Sequence, residues 1–183
     1  MNDLRDSIKS CSLCPELVAS RRQAVPGDGA IPADIMFVGL APGRNGADIT
    51  GIPFTRDPSG KLFREMLATA ELSDVFITNI VKCNPKDLKG RNRTPSETEI
   101  AHCSTFLYAE ISLVRPKIIV ALGMHATRFF LPHIKGMLNA KKATVGGITI
   151  LPILHPSYVI RGAFNRDRYL ETYLAIKKEV LCL

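Results

Sequence analysis

Asp34-Ile-Met-Phe-Val-Gly39 runs straight into Leu40-Ala-Pro-Gly43, and this junction decides the fold. The first stretch is apolar almost without a break, which suits a strand covered on both faces. The glycines and proline that follow form a tight turn, where backbone N–H groups can come close to a ligand. Three more runs of this kind stand at Val75–Val81, Lys117–Gly123 and Ile148–Leu154. Helical segments separate them. Gly60–Leu72 places Leu62, Phe63, Met66, Leu67 and Ala70 at helical spacing. Ser96–Val114 opens on Thr94-Pro95-Ser96-Glu97, read as an N-cap at Thr94, a proline at N1 and a capping box closed by Glu97. A shorter helix follows Gly123, and a last one covers Asp167–Leu181. The alternation implies an α/β fold: a three-layer α/β/α sandwich around a short, mostly parallel four-stranded central sheet. Ligands of such sheets bind at the carboxyl ends of the strands. Those ends carry Gly39–Gly43, Thr78-Asn79, Gly123-Met124-His125 and His155-Pro156-Ser157.

The chain has 183 residues, of which 46% are hydrophobic and 22% charged. At roughly 150 residues per domain this predicts one domain over residues 1–183, with a core large enough to need no disulfides. No apolar run approaches the ~18 residues of a membrane span. The charged opening Met1-Asn-Asp-Leu-Arg-Asp6 lacks the apolar core of an export signal. The expectation is a cytoplasmic monomer with no membrane partner. Twenty-four Lys and Arg against 17 Asp and Glu give a net charge of +7, which suits a polyanion such as DNA. A solvated basic surface accounts for the same charge.

Five cysteines are too few for a disulfide scaffold. Cys11-Ser-Leu-Cys14 is a CxxC pair, Cys83 ends the second strand, Cys103 lies in the following helix, and Cys182 is left over. Four thiolates can close a site around zinc or a [4Fe–4S] cluster. A zinc ribbon pairs two close knuckles, whereas the second pair here is split by a loop, which tilts the reading toward the cluster and leaves zinc open. Around that loop gather Lys82, Lys86, Lys89, Arg91 and Arg93. Lys86 and Arg91 are candidate phosphate contacts; a solvated charged loop is the plain alternative.

Three strand-end motifs carry candidate chemistry. In the first, Asp48 follows the glycine turn and Phe54 offers an aromatic wall. No Gly-Lys-Ser/Thr follows the turn, so this is no Walker motif. In the second, the Asn79 side chain offers a donor pair and an acceptor, enough to read a planar imide edge; turn formation is its commoner use. In the third, His155 precedes a proline and can donate to a carbonyl that becomes charged.

Together these residues resemble the uracil-DNA glycosylase superfamily, in its iron–sulfur branches known as families 4 and 5. The match runs from Cys11 to Arg161. It rests on the four cysteines and on GLAPGRNGADITGIPF at 39–54, ITNIVKCNP at 77–85 and HPSYVIR at 155–161. Leu40 stands where family 4 carries Glu, and the string through Asp48 and Gly51 looks like family 5. Pro53-Phe54 and the compact length look like family 4. The branch that forms covalent DNA adducts carries an inserted basic loop with a reactive His, and residues 45–50 hold neither.

The resemblance implies an α/β/α fold, a structural [4Fe–4S] cluster on Cys11, Cys14, Cys83 and Cys103, and removal of uracil or another deaminated base from DNA. The base must leave the duplex first. Ser157, Tyr158, Val159, Ile160 and Arg161 are then the DNA-facing wedge. Phe54 stacks on the extruded base, Asn79 reads its edge, and backbone at Ala41 and Gly43 contacts it. His155 stabilises charge on the leaving base, and Asp48 orients the attacking water. A non-catalytic iron–sulfur module that only binds nucleic acid is the alternative, and an iron–sulfur or zinc protein without a nucleic-acid role is a further one.

Overall fold

Each of the four apolar runs becomes a strand of one sheet in the computed structural model, which describes residues 1–137 and 140–181. Cys182 lies outside the described residues. In chain order the strands are β1 (Asp28–Gly29), β2 (Ile35–Gly39), β3 (Val75–Asn79), β4 (Ile118–Leu122), β5 (Ala143–Val145) and β6 (Ile148–Ile153). The helices are α1 (Asn2–Ser10), α2 (Pro15–Ser20), α3 (Ala47–Thr50), α4 (Pro58–Thr69), α5 (Glu97–Val114), α6 (Met124–Phe130), α7 (Ser157–Ile160) and α8 (Arg166–Leu181). The strand order is β1-β3-β2-β4-β6-β5. The inner four, β3-β2-β4-β6, are parallel as expected. The sheet is wider than the predicted four strands because β1 and β5 add short antiparallel edges. β1 has only two residues and β5 is exposed throughout, so neither leaves an apolar run to read.

The continuity of the apolar runs is explained by the two layers they face. Met36, Val38, Phe76, Ile119 and Ala121 pack toward Ile8 of α1, Leu107 of α5 and Ala126 of α6. Their neighbours Ile35, Phe37, Ile77, Ile118 and Val120 pack toward Phe63 of α4 and Tyr173 of α8. Phe37 stacks on Tyr173 at 5.9 Å between ring centroids and meets the Phe63 edge at 5.2 Å. Full burial of one such aromatic contributes roughly 1.5–3 kcal/mol.

The start of α5 differs from the sequence expectation. The cap is Ser96, whose hydroxyl accepts from the Glu99 N–H at 3.2 Å while Glu99 accepts from the Ser96 N–H at 2.8 Å. Thr94 and Glu97 take no part in the box, because Pro95 lies outside the helix rather than in its first turn. Arg93 then forks onto the Glu99 carboxylate at 2.6 and 2.7 Å, pinning the loop that precedes the helix.

From β2 the chain crosses to β3 on one side, then returns past β2 to β4 on the other. The strand order therefore reverses between β2 and β4, and a crevice opens beyond their carboxyl ends. Gly39 and Asn79 are register partners at that edge.

Candidate active site

The crevice is a cleft of about 460 Å³ lined by the glycine turn, Phe54, Asp57, Asn79, Gly123 and His155, with Tyr158 at its rim. Gly39, at the end of β2 just before the lining begins, is a glycine for a steric reason. A Cβ there would lie 2.5 Å from the Asn79 Oδ1 and 2.7 Å from the Phe54 ring, so only glycine lets the amide and the ring approach one another. Phe54 holds a left-handed backbone at φ 51° and leans on Phe63, its centroid 4.7 Å away. Its ring lies 5.9 Å from that of His155. The backbone turn at Ala41 to Gly43 is braced from behind: the Asn84 Nδ2 donates to the Pro42 carbonyl at 2.6 Å and to the Asn92 Oδ1 at 2.9 Å.

Asn79 is buried, and its Oδ1 has no hydrogen-bond partner among the described residues. An unpaired buried acceptor costs roughly 1–3 kcal/mol, so this atom is a place for a ligand donor. The Asn79 backbone is fixed by Lys82, whose Nζ donates to the Asn79 carbonyl at 2.6 Å, to the Thr78 hydroxyl at 2.7 Å and to Glu110 at 2.6 Å. Lys82 and Glu110 are each 1% exposed. Lys82 is thus no part of a solvated basic surface.

His155 accepts the Ser157 N–H on Nδ1 at 3.2 Å and lies 3.0 Å from the Ser157 hydroxyl. A ring nitrogen that accepts carries no proton, so the imidazole proton sits on Nε2 and is left to donate. Burial, with the nearby Arg161 charge, pushes the His155 pKa down from 6.5 to about 4. The imidazole is therefore neutral near pH 7. The sign of its effect on folding follows: between pH 6.5 and 4 the unfolded chain takes up a proton that the folded chain refuses, so stability falls as pH falls through that window. Thermal melts at stepped pH are expected to drop more steeply there for the wild type than for His155→Gln. Parallel curves would remove His155 from the pH dependence.

The sequence expectation puts Asp48 at the cleft, and the structure puts Asp57 there. Asp48 does not line the cleft. It is 0% exposed, and its two oxygens are taken by the Arg22 N–H and the Lys86 ammonium, both at 2.9 Å. It has no free oxygen with which to orient water. The same pair withdraws Lys86 from the surface, since its Nζ also donates to the Ser20 carbonyl. Asp57, which sequence reasoning passed over, is the one carboxylate among the described residues lining the cleft. Its Oδ1 caps α4 through the Gly60 N–H at 2.7 Å. Its Oδ2 rests against the turn, where a Cβ on Gly46 would lie 2.3 Å away. The helix begins at Pro58, two residues before the expected Gly60, and Asp57 is its N-cap.

The expected wedge is divided by α7. Tyr158 and Ile160 are 38% and 47% exposed, and the Arg161 guanidinium lies 5.1 Å from the Tyr158 ring centre. Val159 faces the other way, into the core beside α4 and α8, and Ser157 is spent on His155. Ser157 nevertheless lines both the cleft and the groove beside it. Arg91 remains exposed, paired to Asp87 at 2.8 Å.

Cys11, Cys14, Cys83 and Cys103 line one small pocket with Leu13, Leu17 and Val18. Arg21 donates to the Cys83 Sγ at 2.9 Å, and the Lys82 N–H donates to the Cys103 Sγ at 3.1 Å. Burial raises the Cys14 and Cys83 pKa values and lifts that of Cys103 to about 11.

These features place the chain among α/β proteins with a mostly parallel sheet, a cleft at its switch point and four cysteines gathered around a second, smaller pocket. The model of the uracil DNA glycosylase superfamily matches residues 26–177, and the chain belongs to that superfamily. It is 37% identical to a type-4 uracil-DNA glycosylase of Thermotoga maritima, over 92% of this chain and 87% of that one. A type-4 uracil-DNA glycosylase of Archaeoglobus fulgidus is 34% identical over 92% and 87%. A type-5 uracil-DNA glycosylase of Thermus thermophilus is 29% identical over 94% of each. In fold, the chain matches the crystal structure of wild-type Pedobacter heparinus SMUG2 with a TM-score of 0.63 at 16% identity, covering 82% of this chain and 77% of that one.

Proposed function

We infer that the chain is a monofunctional uracil-DNA glycosylase, which extrudes uracil from DNA and hydrolyses its N-glycosidic bond to leave an abasic site. The observation that carries this is the buried Asn79 amide, its Oδ1 unpaired, in the lining of a cleft walled by Phe54 and His155. An imide N–H is the donor such an acceptor fits. Phe54 stacks on the base, and backbone at Ala41 and Gly43 contacts its edge. As the bond breaks, negative charge grows on the base, and the His155 Nε2–H donates to the carbonyl that receives it. Positive charge grows on the sugar. Asp57 faces it and holds the attacking water, the role the sequence had suggested for Asp48.

We assign Cys11, Cys14, Cys83 and Cys103 to a [4Fe–4S] cluster. The donor set fits: four sulfurs in one apolar pocket, two of them already receiving N–H donors. Buried thiols raised this far stay protonated on their own, and cluster charge is what makes them thiolates. The group would supply a cross-link between the N-terminal helices, the loop after β3 and α5, with no redox step. The setting we propose is cytoplasmic, with one domain acting as a monomer.

The test is base release from oligonucleotides carrying one uracil, hypoxanthine or xanthine, read as alkali-induced strand cleavage on a denaturing gel. Cleavage at uracil is expected from a brown preparation that holds iron and sulfide in equal amounts and no zinc. Tight DNA binding without abasic product from the same preparation overturns the reading in favour of a binding module. Zinc in place of iron overturns the cluster.

A further inference from the structure

Across the cleft from Tyr158 and Ile160 stands a hairpin that the reaction described above does not use. Lys86 and Asn92 bridge its base, and the Asp87 N–H donates to the Arg91 carbonyl at 2.8 Å. The corner is Asp87-Leu88-Lys89-Gly90. The Gly90 N–H donates to the Asp87 carbonyl at 2.9 Å, and Gly90 takes a left-handed φ of 71°. Asp at the first position and Gly at the last favour such a turn. The Asp87 carboxylate stiffens it by accepting from the Lys89 N–H, the Arg91 N–H and the Arg91 Nε.

At the outermost corner of this rigid turn is Leu88, 107% exposed. Isolated surface leucines are ordinary, but they normally rest on a neighbour. This one gains nothing from burial, and exposed cations Lys89 and Arg91 flank it. The turn is also tied to the catalytic rim, because the Arg44 Nη1 donates to the Gly90 carbonyl and the Arg44 N–H to the Asn92 Oδ1, both at 3.1 Å. An open groove lined by Arg44, Asn45, Asn92, Ile160 and Arg161 runs between the hairpin base and the wedge of α7. Apolar side chains that enter base steps, with cations beside them for phosphates, are a recognised way to unstack and kink a duplex.

We propose that Leu88 is a second wedge, which enters the duplex on the far side of the groove from Tyr158 and Ile160 while Lys89, Arg91 and Arg44 hold phosphates. This rests on the reading of the cleft as a base-extrusion site in DNA. A wedge acts only where bases are stacked, so its effect belongs to duplex and not to single-stranded substrate.

The experiment compares wild type, Leu88→Ala, Leu88→Met and, as a remote exposed leucine, Leu113→Ala. Single-turnover uracil release is measured on matched duplex and single-stranded oligonucleotides. Leu88→Ala is expected to lower the duplex-to-single-strand rate ratio roughly tenfold, with Leu88→Met and Leu113→Ala near wild type. An equal loss on both substrates, or no loss, overturns the proposal. A second readout needs no catalysis: 2-aminopurine is stepped along duplexes around the uracil, and fluorescence is recorded on binding. The wild type is expected to brighten two separated positions, of which Leu88→Ala loses one. A wild-type pattern in Leu88→Ala overturns the proposal even if no base is released. Absence of base release from both substrates by the wild type, with this pattern intact, overturns the glycosylase reading alone.

Discussion

Replacing His155 by alanine is expected to lower single-turnover uracil release by roughly 10²–10³-fold, the scale for losing one donor to a developing oxyanion. The loss should sit in the chemical step, with duplex binding changed little. The reason lies in the proton's position. The Ser157 N–H occupies Nδ1, so Nε2–H is the end left free to donate. Because burial holds the pKa near 4, this donor is neutral and needs no protonation step. The contribution of His155 should therefore be flat from pH 8 down to about 5, rather than rising as an ordinary histidine gains charge. A single-turnover profile that climbs as pH falls through 6.5 would show an imidazolium at work and sink the assignment.

The second large effect separates two aspartates nine residues apart. Asp57→Asn keeps a good N-cap for α4, since Asn caps about as well as Asp, yet removes the charge facing the sugar. Its release rate is expected to fall by about 10²-fold with little change in melting temperature. Asp48→Asn should do the reverse. It breaks a buried pair with Lys86 and leaves that ammonium uncompensated, at a cost of roughly 3 kcal/mol, while folded molecules keep a rate within about tenfold of wild type. Stopped-quench base release on both variants, with thermal melts alongside, decides the matter. Asp48→Asn slow and stable beside Asp57→Asn fast would restore the role the sequence suggested for Asp48.

That exchange shows what a one-dimensional reading can reach. β2, β3 and β4 were legible because a strand covered on both faces must be apolar throughout, and β6, only partly buried, because its run is still rich in isoleucine and leucine. Phe54, Asn79 and His155 were legible because unusual residues cluster at strand ends in this topology, and all three line the cleft. The four cysteines were legible from CxxC spacing and do converge. Asp48 misled because it follows the glycine turn directly, whereas the chain folds back and brings Asp57 to the cleft instead. Lys82 and Lys86 looked like members of a solvated charge run. Their partners, Glu110 and Asp48, lie 28 and 38 residues away, and no local pattern announces a pair that distant. Val159 sits in the middle of an apparent wedge, but four residues of helix suffice to turn it inward.

Lys82 grips the Asn79 carbonyl with its ammonium and the Cys103 sulfur with its own N–H. The base reader and the cysteine pocket are thereby two ends of one residue, and Cys83 is its immediate neighbour. Descent from a common ancestor cannot shuffle these parts separately. A lineage that discards its cysteines leaves the Lys82 amide without its acceptor and loosens the anchor of Asn79 in the same stroke. Loss of the cysteines in such a lineage should therefore go with changes around Asn79, and the two sites should vary together.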